Sequence, residues 1–434
     1  MGRTIARMDT KRLLLIAALA LSPVPAAAGP DREIDDFDFL KRLFFRDCSC
    51  DVRFATFNAS LNRNLAGQLL SDLSTPNNAQ AKAVAEIIQR ARPDVLLINE
   101  FDFDAQSLGA KLFQDNYLSV SQNGAPPIQY AYRYMAPSNT GVPSGFDLNN
   151  NGVVGGPDDA LGFGFFEGQF GMCVYSRYPI LFDRIRTFQK FLWKDMPGAR
   201  LPDDLSTAAP ADWYSPAELA IFRLSSKSHW DVPIRIDGKV VHFLVSHPTP
   251  PVFDGPEDRN GTRNFDEIRF WADYVTPGKK TDYMVDDAGN RGGLFPGAGF
   301  VIAGDQNSDP RDGDSIPGAI QQLLDHPKIN DSVIPSSEGA VEQAALQGGA
   351  NATHLSNPKF DTADFLDTPG PGNLRADYVL PSHPIRVCDA RVFWPKSTDP
   401  LFGPVGVFPF PSSDHRLVWI DATVPAFSWF GGWR

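Results

Sequence analysis

The hydrophobic residues of this chain fall into short runs that are typical of strands. Residues 52–57 alternate as in a half-buried strand, and residues 94–99 form an apolar run of strand length. Between them, residues 79–91 carry apolar side chains at a helical spacing, and Pro93 marks the end of that segment. The first part of the fold is therefore predicted to be a strand, a helix and a second strand.

Later segments repeat this alternation. Further strands are predicted at residues 240–246, 299–304, 375–381 and 417–420. Helical segments are predicted between them, notably at residues 265–275 and 317–325. Because strands and helices alternate along the chain, we expect an α/β sandwich. No internal repeat or low-complexity linker divides the sequence, so residues 29–434 are interpreted as a single domain with loop insertions.

Composition and charge narrow the functional classes. With 42% hydrophobic and 21% charged residues, the chain is globular rather than disordered or coiled-coil. Its formal net charge of −12 argues against a protein held on nucleic acid by a basic surface alone. A nuclease is still compatible with this charge, because a bound metal ion can supply the local positive charge that a phosphate needs.

Residues 1–28 are predicted to be a secretory signal peptide. Four basic residues precede an apolar run at 13–21, and small residues follow at 26–28. The apolar run is shorter than the roughly 20 residues that cross a bilayer, so we expect no stable membrane anchor. Cleavage after Ala28 would release a secreted protein, either extracellular or periplasmic.

The cysteines are compatible with disulfide bonds in an oxidising compartment. Cys48, Cys50, Cys173 and Cys388 allow three pairings, of which a direct bond between Cys48 and Cys50 is disfavoured because it would close a strained loop. Zinc is not expected, since no CxxC pair or histidine cluster accompanies these residues.

The predicted strands deliver amide, carboxylate or imidazole side chains at or near one end. These residues are Asn58, Glu100, His247, Asp305, Asn307, Asp377, Asp414 and His415. Several have an ordinary interpretation on their own: Asn58 or Asp305 closes a turn, or a histidine is structural. Glu100 and Asp377 are more informative, because a carboxylate on an apolar strand needs a partner or a metal. Taken together they are hard to obtain by chance, and rigid strand ends are where α/β folds build sites.

This set of residues suits phosphoester hydrolysis. A hard divalent ion such as Mg²⁺ prefers carboxylate and amide oxygens, and Asn58, Glu100 and Asp414 could supply them. Such an ion neutralises phosphate charge and stabilises the charge that develops during reaction.

The remaining strand-end residues could move protons. Asp305 is placed to orient or deprotonate the attacking water. His247 and His415 could donate to phosphate oxygens or to the leaving group, and Asp377 could fix the tautomer of His415. Which histidine serves the leaving group stays open.

Seven stretches of the chain resemble the motifs of a known family. In order they are FATFN, PDVLLINE, GMCVYSRYPI, FLVSHPTPP, VIAGDQN, RADYVLPS and SSDHRLV, and they span about residues 52–420. They resemble the endonuclease/exonuclease/phosphatase superfamily, which has a deoxyribonuclease I-like fold. The resemblance implies an α/β, four-layer αββα sandwich, here with long loop insertions and in a secreted, bacterial-type member.

The resemblance also implies roles for individual residues. It implies a divalent metal, Mg²⁺ or Mn²⁺, at Glu100, with Asp305, Asn307 and His415 around the scissile phosphate. It further implies that Asp414 approaches the metal or that histidine, and that Asp377 orients His415.

The chain departs from the family pattern at several places. Ser60 stands where many members have an acid, and Gln306 follows Asp305 where many have an apolar residue. Insertions lie at about residues 101–170 and 184–230, and an aromatic Gly/Pro-rich loop at 401–411 precedes Asp414. Substrate choice is expected to be set in these segments.

One insertion has the spacing of a calcium-binding loop. The predicted ligands of a structural Ca²⁺ are Asp147, Asn149, Asn151, Val153 and Asp158. The alternative is an ordinary Asn/Gly-rich turn, since an aspartate is shorter than the usual glutamate at the last position.

A basic stretch enters the helix that follows His247. Arg263 could bind an anionic substrate there, or belong to an ordinary helix N-terminus with surface salt bridges. The same two interpretations apply to Lys227 and His229, and the structural one is favoured.

The sequence thus predicts a secreted, metal-dependent phosphoesterase, and a phosphodiesterase or nuclease is the favoured form. Its expected partners are phosphate-ester substrates, with nucleic acid as one candidate. The alternatives are a phosphomonoesterase acting on small organic phosphates and a phosphodiesterase that cleaves phospholipid head groups. A non-enzymatic alternative is an exported binding module stabilised by calcium.

Overall fold

The fold is built from two β-sheets whose strands come from the whole chain. The structure is a computed structural model that describes residues 50–276 and 278–425. The predicted signal peptide at 1–28 lies outside the described residues. The first sheet has the strand order β12-β13-β1-β2-β4-β3, and the second has the order β11-β8-β7-β6-β5. A two-stranded ribbon pairs β9 with β10.

The bounds of the elements follow in chain order. The strands are β1 (Val52–Leu61), β2 (Val95–Phe101), β3 (Tyr132–Tyr134), β4 (Met172–Ser176), β5 (Arg186–Thr187), β6 (His229–Ile236), β7 (Lys239–Ser246), β8 (Gly299–Asp305), β9 (Ala363–Asp364), β10 (Asn373–Leu374), β11 (Asp377–Pro381), β12 (Arg386–Val392) and β13 (Val418–Thr423). The α-helices are α1 (Gln68–Leu73), α2 (Ala79–Ala91), α3 (Leu108–Phe113), α4 (Pro216–Leu219), α5 (Arg259–Val275), α6 (Gln321–Leu324) and α7 (Glu338–Gln347).

The predicted elements are present, with differences in length. Helix α2 has the predicted bounds, because the Asn78 side chain accepts a hydrogen bond from the Ala81 N–H at its start and Arg92 adopts a left-handed conformation before Pro93 at its end. Helix α5 begins six residues earlier than predicted, while the segment at 317–325 contains only the four-residue helix α6. The strands that were not predicted are β3, β4, β5, β6, β9, β10 and β12.

The two sheets pack face to face. Phe54 of β1 and Phe243 of β7 have ring centroids 6.0 Å apart, and Tyr134 meets Trp230 edge to face at 5.1 Å. Along β7, Val241, Phe243 and Val245 join this central core, because alternate side chains point to the same face.

Helices cover the outer faces of both sheets. Val84, Ile87 and Ile88 of α2 are buried with the residues of the first sheet. Leu244 of β7 points away from the centre and packs in a second core with residues of α5 such as Trp271. The layers are therefore α, β, β and α, as the resemblance implied.

A disulfide bond joins distant parts of the chain. Cys50, just before β1, is bonded to Cys388 in β12, with Cα atoms 6.3 Å apart and a separation of 338 positions in sequence. Cys173 is buried in β4 as a free thiol, and Cys48 lies outside the described residues. Within residues 50–276 and 278–425, no helix combines the length and hydropathy that a membrane span requires.

Candidate active site

Four strand ends meet at one edge of the sandwich. Strands β1 and β2 are parallel neighbours in the first sheet, and β7 and β8 are parallel neighbours in the second, so each pair ends at the same edge. The Asn58 carboxamide Nδ2 donates to Glu100 Oε1 at 3.1 Å and to Asp305 Oδ2 at 3.0 Å. One buried side chain thus links the two sheets at the predicted site.

Two histidines face the same carboxylate. His247 Nε2 lies 3.4 Å from Asp305 Oδ2, and His415 Nε2 lies 3.6 Å from that same oxygen. All three side chains are buried. This edge of the fold therefore places an acid between two imidazoles.

Asp377 contacts the His415 imidazole at the nitrogen that faces away from Asp305. Its Oδ2 lies 2.9 Å from His415 Nδ1 and also accepts a hydrogen bond from the Thr362 hydroxyl at 2.9 Å. The Thr362 hydroxyl oxygen in turn accepts from the backbone N–H groups of Ala376 and Asp377. Thr362, which the sequence analysis did not single out, fixes the carboxylate that orients His415.

The two histidines differ in the direction in which their surroundings shift the pKa. Burial lowers the pKa of His247 to about 4, and the nearby charge of Lys227 adds to this effect. Burial also opposes the charged form of His415, but the charges of Asp377 and Asp305 outweigh it and hold the pKa of His415 well above its usual value. Near neutral pH, His247 is neutral and His415 is a cation, so only His415 carries two N–H donors.

Asp305 is an ionised acid. Burial raises its pKa, but the charge of His415 and the hydrogen bond from His247 outweigh burial and keep that pKa below the usual range. Its Oδ1 also accepts from the backbone N–H of Asn307 at 2.8 Å. A carboxylate that stays charged at neutral pH can accept a proton or orient a water molecule.

Backbone geometry brings the strand ends close together. Gly304, directly before Asp305, has a φ of 147°, and a Cβ there would lie 2.0 Å from the carbonyl oxygen of Ser246. Glu100 and Asn307 have φ values of 59° and 51°, which are uncommon for residues other than glycine. Such conformations are concentrated at functional sites, where the surrounding structure imposes them.

Glu100 and Asp414 are the carboxylates that fit a divalent cation. Burial, together with the charge of Asp414, raises the pKa of Glu100 to about 7. A hard cation stabilises two carboxylates whose negative charges repel each other in a partly enclosed site. Asn58 lies beside them, so all three predicted metal ligands are close together.

Ser60 stands near these acids. Its hydroxyl lies 3.0 Å from the Ser413 hydroxyl and 3.4 Å from Asp414 Oδ1. Where the family pattern often has a carboxylate, this chain therefore holds Asp414 with a neutral hydroxyl.

A second group of possible ligand atoms has another explanation. Asp305, Asp377 and His415 offer ligand atoms within 4.8 Å of one another. The His415 Nδ1 atom is already bonded to Asp377, however, and the other imidazole nitrogen faces Asp305. The arrangement is that of a histidine held between two acids rather than of three metal ligands.

Asn307 completes the predicted set. Its Nδ2 atom donates to the carbonyl oxygen of Pro248 at 3.1 Å, and Pro248 directly follows His247. The carboxamide of Asn307 is therefore held beside the two histidines and Asp305.

Arg263 does not lie at this site. Its guanidinium donates to the carbonyl oxygens of Leu224, Leu161 and Arg223 and stacks over the ring of Phe222 at 4.6 Å. The side chain is buried and ties loops to helix α5. The prediction that it binds substrate is corrected by this placement, because its donors already have backbone acceptors.

His229 is likewise structural, bonded to Ser225 and to the carbonyl of Glu267.

The predicted calcium loop is a tight turn. Asp147 accepts from the N–H groups of Asn151 and Gly152, and Asn151 Oδ1 accepts from the N–H of Val153. Asn149 Oδ1 also accepts from the N–H of Asn151. At the end of the loop, Asp158 is exposed, whereas the carboxylate of Asp159 is buried and accepts from Leu148 and Gly155. The acid that faces the loop is therefore Asp159 and not the predicted Asp158, because the short helical turn at Pro157–Asp159 directs it inward.

Lys227 is at the site although the sequence favoured a structural interpretation. Its side chain is buried, and its ammonium donates to the carbonyl of Pro248. A lysine in a run of small polar residues directly before a strand gave no signal of burial, since Lys is seldom buried.

The family model for the endonuclease/exonuclease/phosphatase family matches residues 55–415. The chain belongs to this family, and the match covers the strand ends from Asn58 to His415. Metal-dependent phosphoester hydrolysis is the chemistry of the family. Among curated protein sequences, none matches the chain.

Solved structures similar to this chain come from several bacteria. An endonuclease/exonuclease/phosphatase from Beutenbergia cavernae DSM 12333 is 16% identical, with a TM-score of 0.46 over 86% of this chain and 71% of that chain. A sphingomyelinase C from Streptomyces griseocarneus is 13% identical, with a TM-score of 0.44 over 86% and 99%. A mannosyl-6-phosphatase from Bacteroides thetaiotaomicron VPI-5482 is 12% identical, with a TM-score of 0.41 over 86% and 100%.

Proposed function

We propose that this protein is an exported, divalent-metal-dependent phosphodiesterase. The observation that carries the proposal is the surrounding of Asp305 Oδ2, which meets Asn58 Nδ2 at 3.0 Å and the Nε2 atoms of His247 and His415 at 3.4 and 3.6 Å. An ionised acid between a neutral and a cationic imidazole can both take up and supply a proton. Hydrolysis of a phosphoester needs both steps.

Asn58, Glu100 and Asp414 would hold the metal, Mg²⁺ or Mn²⁺. When bound there, the ion would neutralise phosphate charge and stabilise the charge that develops during reaction. The chain's own part is to present these three oxygen-bearing side chains from β1, β2 and the segment before β13. The Asn58 Nδ2 atom also fixes the distance between the metal side and Asp305.

The remaining residues would carry out the proton transfers. Asp305 orients the attacking water and accepts its proton; its lowered pKa keeps the carboxylate ionised and therefore able to accept. His415, kept cationic and oriented by Asp377, donates to the phosphate or to the leaving group. Asn307 donates to a phosphate oxygen from the β8 end, and His247, whose single N–H is given to Asp305, holds that carboxylate in place from the β7 end.

Export is proposed from the sequence together with the disulfide bond. Removal of residues 1–28 would leave residues 29–434 as a single domain. The bond between Cys50 and Cys388 is compatible with an oxidising compartment.

A structural calcium ion at the loop from Asp147 is a separate proposal. Its support is the spacing of the oxygen-bearing side chains of Asp147, Asn149 and Asn151. Calcium should raise the melting temperature of the wild type and leave that of Asp147→Ala unchanged. Equal responses of the two proteins would contradict the site.

Hydrolysis of a bis-nitrophenyl phosphodiester, compared with nitrophenyl phosphate, tests the proposed function. The mature protein is assayed with Mg²⁺ and with a chelator, and Asp305→Ala is the control. Diester turnover that requires both Mg²⁺ and Asp305 supports the phosphodiesterase. Turnover of the monoester alone would replace it with a phosphomonoesterase, and binding of esters without turnover of either would point to a binding module.

A further inference from the structure

A buried ammonium lies beside the candidate active site without a strong partner. Lys227 is only 7% exposed. It comes two residues before β6, whose His229 is paired with Ser246 of β7. Continuing this antiparallel register places Lys227 alongside Pro248, the residue after His247. The pairing of two strands therefore carries the lysine to the strand ends that form the site.

One carbonyl oxygen connects Lys227 to a predicted phosphate-binding residue. The Pro248 carbonyl accepts a hydrogen bond from Lys227 Nζ at 3.5 Å and one from Asn307 Nδ2 at 3.1 Å. The ammonium and the carboxamide thus approach the same atom. Since Asn307 is bonded through its backbone to Asp305, Lys227 belongs to the same cluster.

The Lys227 ammonium has more N–H donors than hydrogen bonds to the described residues. A lysine carries three N–H donors, and a distance of 3.5 Å is at the outer limit of a hydrogen bond. Within residues 50–276 and 278–425, the bond to Pro248 is the only one that Nζ makes, and no carboxylate oxygen there forms a salt bridge with it. A buried charge with so little bonding is costly unless another acceptor joins it.

An ion pair with Glu267 does not account for the burial of Lys227. Glu267 is the buried acid whose charge acts most strongly on Lys227. Both oxygens of Glu267 are already used, because Oε1 accepts from the Ser226 N–H at 2.6 Å and Oε2 from the Thr249 N–H at 2.7 Å. Glu267 therefore organises the two loops around Lys227, and it leaves the ammonium free to point elsewhere.

We propose that Lys227 is a substrate-binding residue whose ammonium donates to a non-bridging oxygen of the phosphate group, next to Asn307. The inference rests on the proposed phosphoesterase function and adds a ligand to it. In a site shielded from water, a fixed positive charge stabilises the charge on phosphate oxygens more than it could in solvent. Loss of one such donor lowers catalysis by about 10²–10³-fold.

The test compares Lys227→Gln with the wild type. The glutamine amide can still donate to Pro248, so the variant removes the charge while it keeps the local bond. Lys239→Met is the matched control, since Lys239 also donates to a backbone carbonyl, that of Val424, but at the opposite end of β7. Lys227→Arg, which keeps the charge, is the second variant and is expected to retain most of the function if Lys227→Gln does not fold.

Two measurements are made on the Mg²⁺-loaded mature protein. Isothermal titration with inorganic phosphate is expected to show at least about tenfold weaker binding for Lys227→Gln, while Mg²⁺ raises the melting temperatures of all variants equally. Phosphodiester kinetics should show kcat/KM falling by about 10²–10³-fold for Lys227→Gln and unchanged for Lys239→Met.

The outcomes separate the two hypotheses. If the wild type hydrolyses the ester and Lys227→Gln does so with unchanged kcat and KM, the role of Lys227 is wrong and the phosphoesterase stands. If the wild type binds phosphate through Lys227 but hydrolyses no ester, the phosphoesterase is wrong and the anion site stands. If Lys227→Gln does not fold, Lys227→Arg decides: retained phosphate binding supports the proposal, and loss of phosphate binding in folded Lys227→Arg contradicts it.

Discussion

His415 Nδ1 lies 2.9 Å from Asp377 Oδ2, while the other nitrogen of the same imidazole faces Asp305. The ring is thus fixed between two buried acids, one on each side. Phe365 packs edge to face on the imidazole at 5.2 Å, which further limits its rotation. The contact with Asp377 therefore helps to set both the orientation and the charge of the His415 imidazole.

Asp377→Asn should lower kcat by about 10²–10⁴-fold, because the imidazole loses the charge that keeps it protonated and oriented. The pKa of His415 is raised above its ordinary value, so activity that needs its proton is present at low pH and is lost as pH rises through that pKa. In the variant this alkaline limb should move to lower pH. A pH–rate profile of kcat measures the shift, and an unchanged alkaline limb would contradict the role of Asp377.

Glu100→Gln should abolish metal-dependent turnover while the protein stays folded. The glutamine oxygen can still accept the hydrogen bond from Asn58, and burial already disfavours the charge at this position, since it raises the pKa of Glu100 to about 7. Thermal melting with and without Mg²⁺ should show that the ion stabilises the wild type but not the variant. Turnover that survives the change would show that the metal assignment is wrong.

Asp361→Asn should stabilise the protein at pH 8 and have little effect at pH 4. Asp361 is buried, one of its oxygens has no hydrogen-bond partner among the described residues, and burial with the charges of Asp309 and Asp312 raises its pKa to about 9. The pKa in the unfolded chain is about 3.9. Folding therefore favours the protonated acid, and this contribution to stability is lost as pH rises from about 4 towards 9.

Melting temperatures from pH 4 to pH 8 measure this effect, with the exposed acid Asp314 changed to Asn as the control. The gain of Asp361→Asn over the wild type should grow with pH, and the control should show no such trend. A lower melting temperature of Asp361→Asn at pH 8 would mean that the carboxylate is charged and paired there.

Reduction of the bond between Cys50 and Cys388 should lower the free energy of unfolding by about 2–5 kcal/mol, since it releases a cross-link that constrains the unfolded chain. Urea unfolding with and without reductant measures the change. The matched control is the double variant Cys50→Ser with Cys388→Ser, which should not respond to reductant. Equal stabilities of the oxidised and reduced wild type would contradict a stabilising bond.

The sequence by itself determined the local elements and the positions of the site residues along them. Helix α2 was predicted with its bounds because its stop signal, Pro93, and its apolar spacing are local properties. The runs before Asn58, Glu100, His247 and Asp305 indicated strands because continuous burial needs continuous apolar side chains. The ordered motifs then identified the family and, with it, the four layers.

Only the tertiary structure decided which side chains meet. The bond between Asn58 and Asp305 joins residues 247 positions apart, and it forms because two separate sheets pack with their strand ends at one edge. Arg263 is buried and bonded to backbone carbonyls rather than exposed at a helix N-terminus, and Lys227 is buried close to Asn307 although its local sequence favoured a structural role. A side chain's charge and hydrogen-bonding capacity are fixed by its residue type, but its partners and its burial come from chain segments that are distant in sequence.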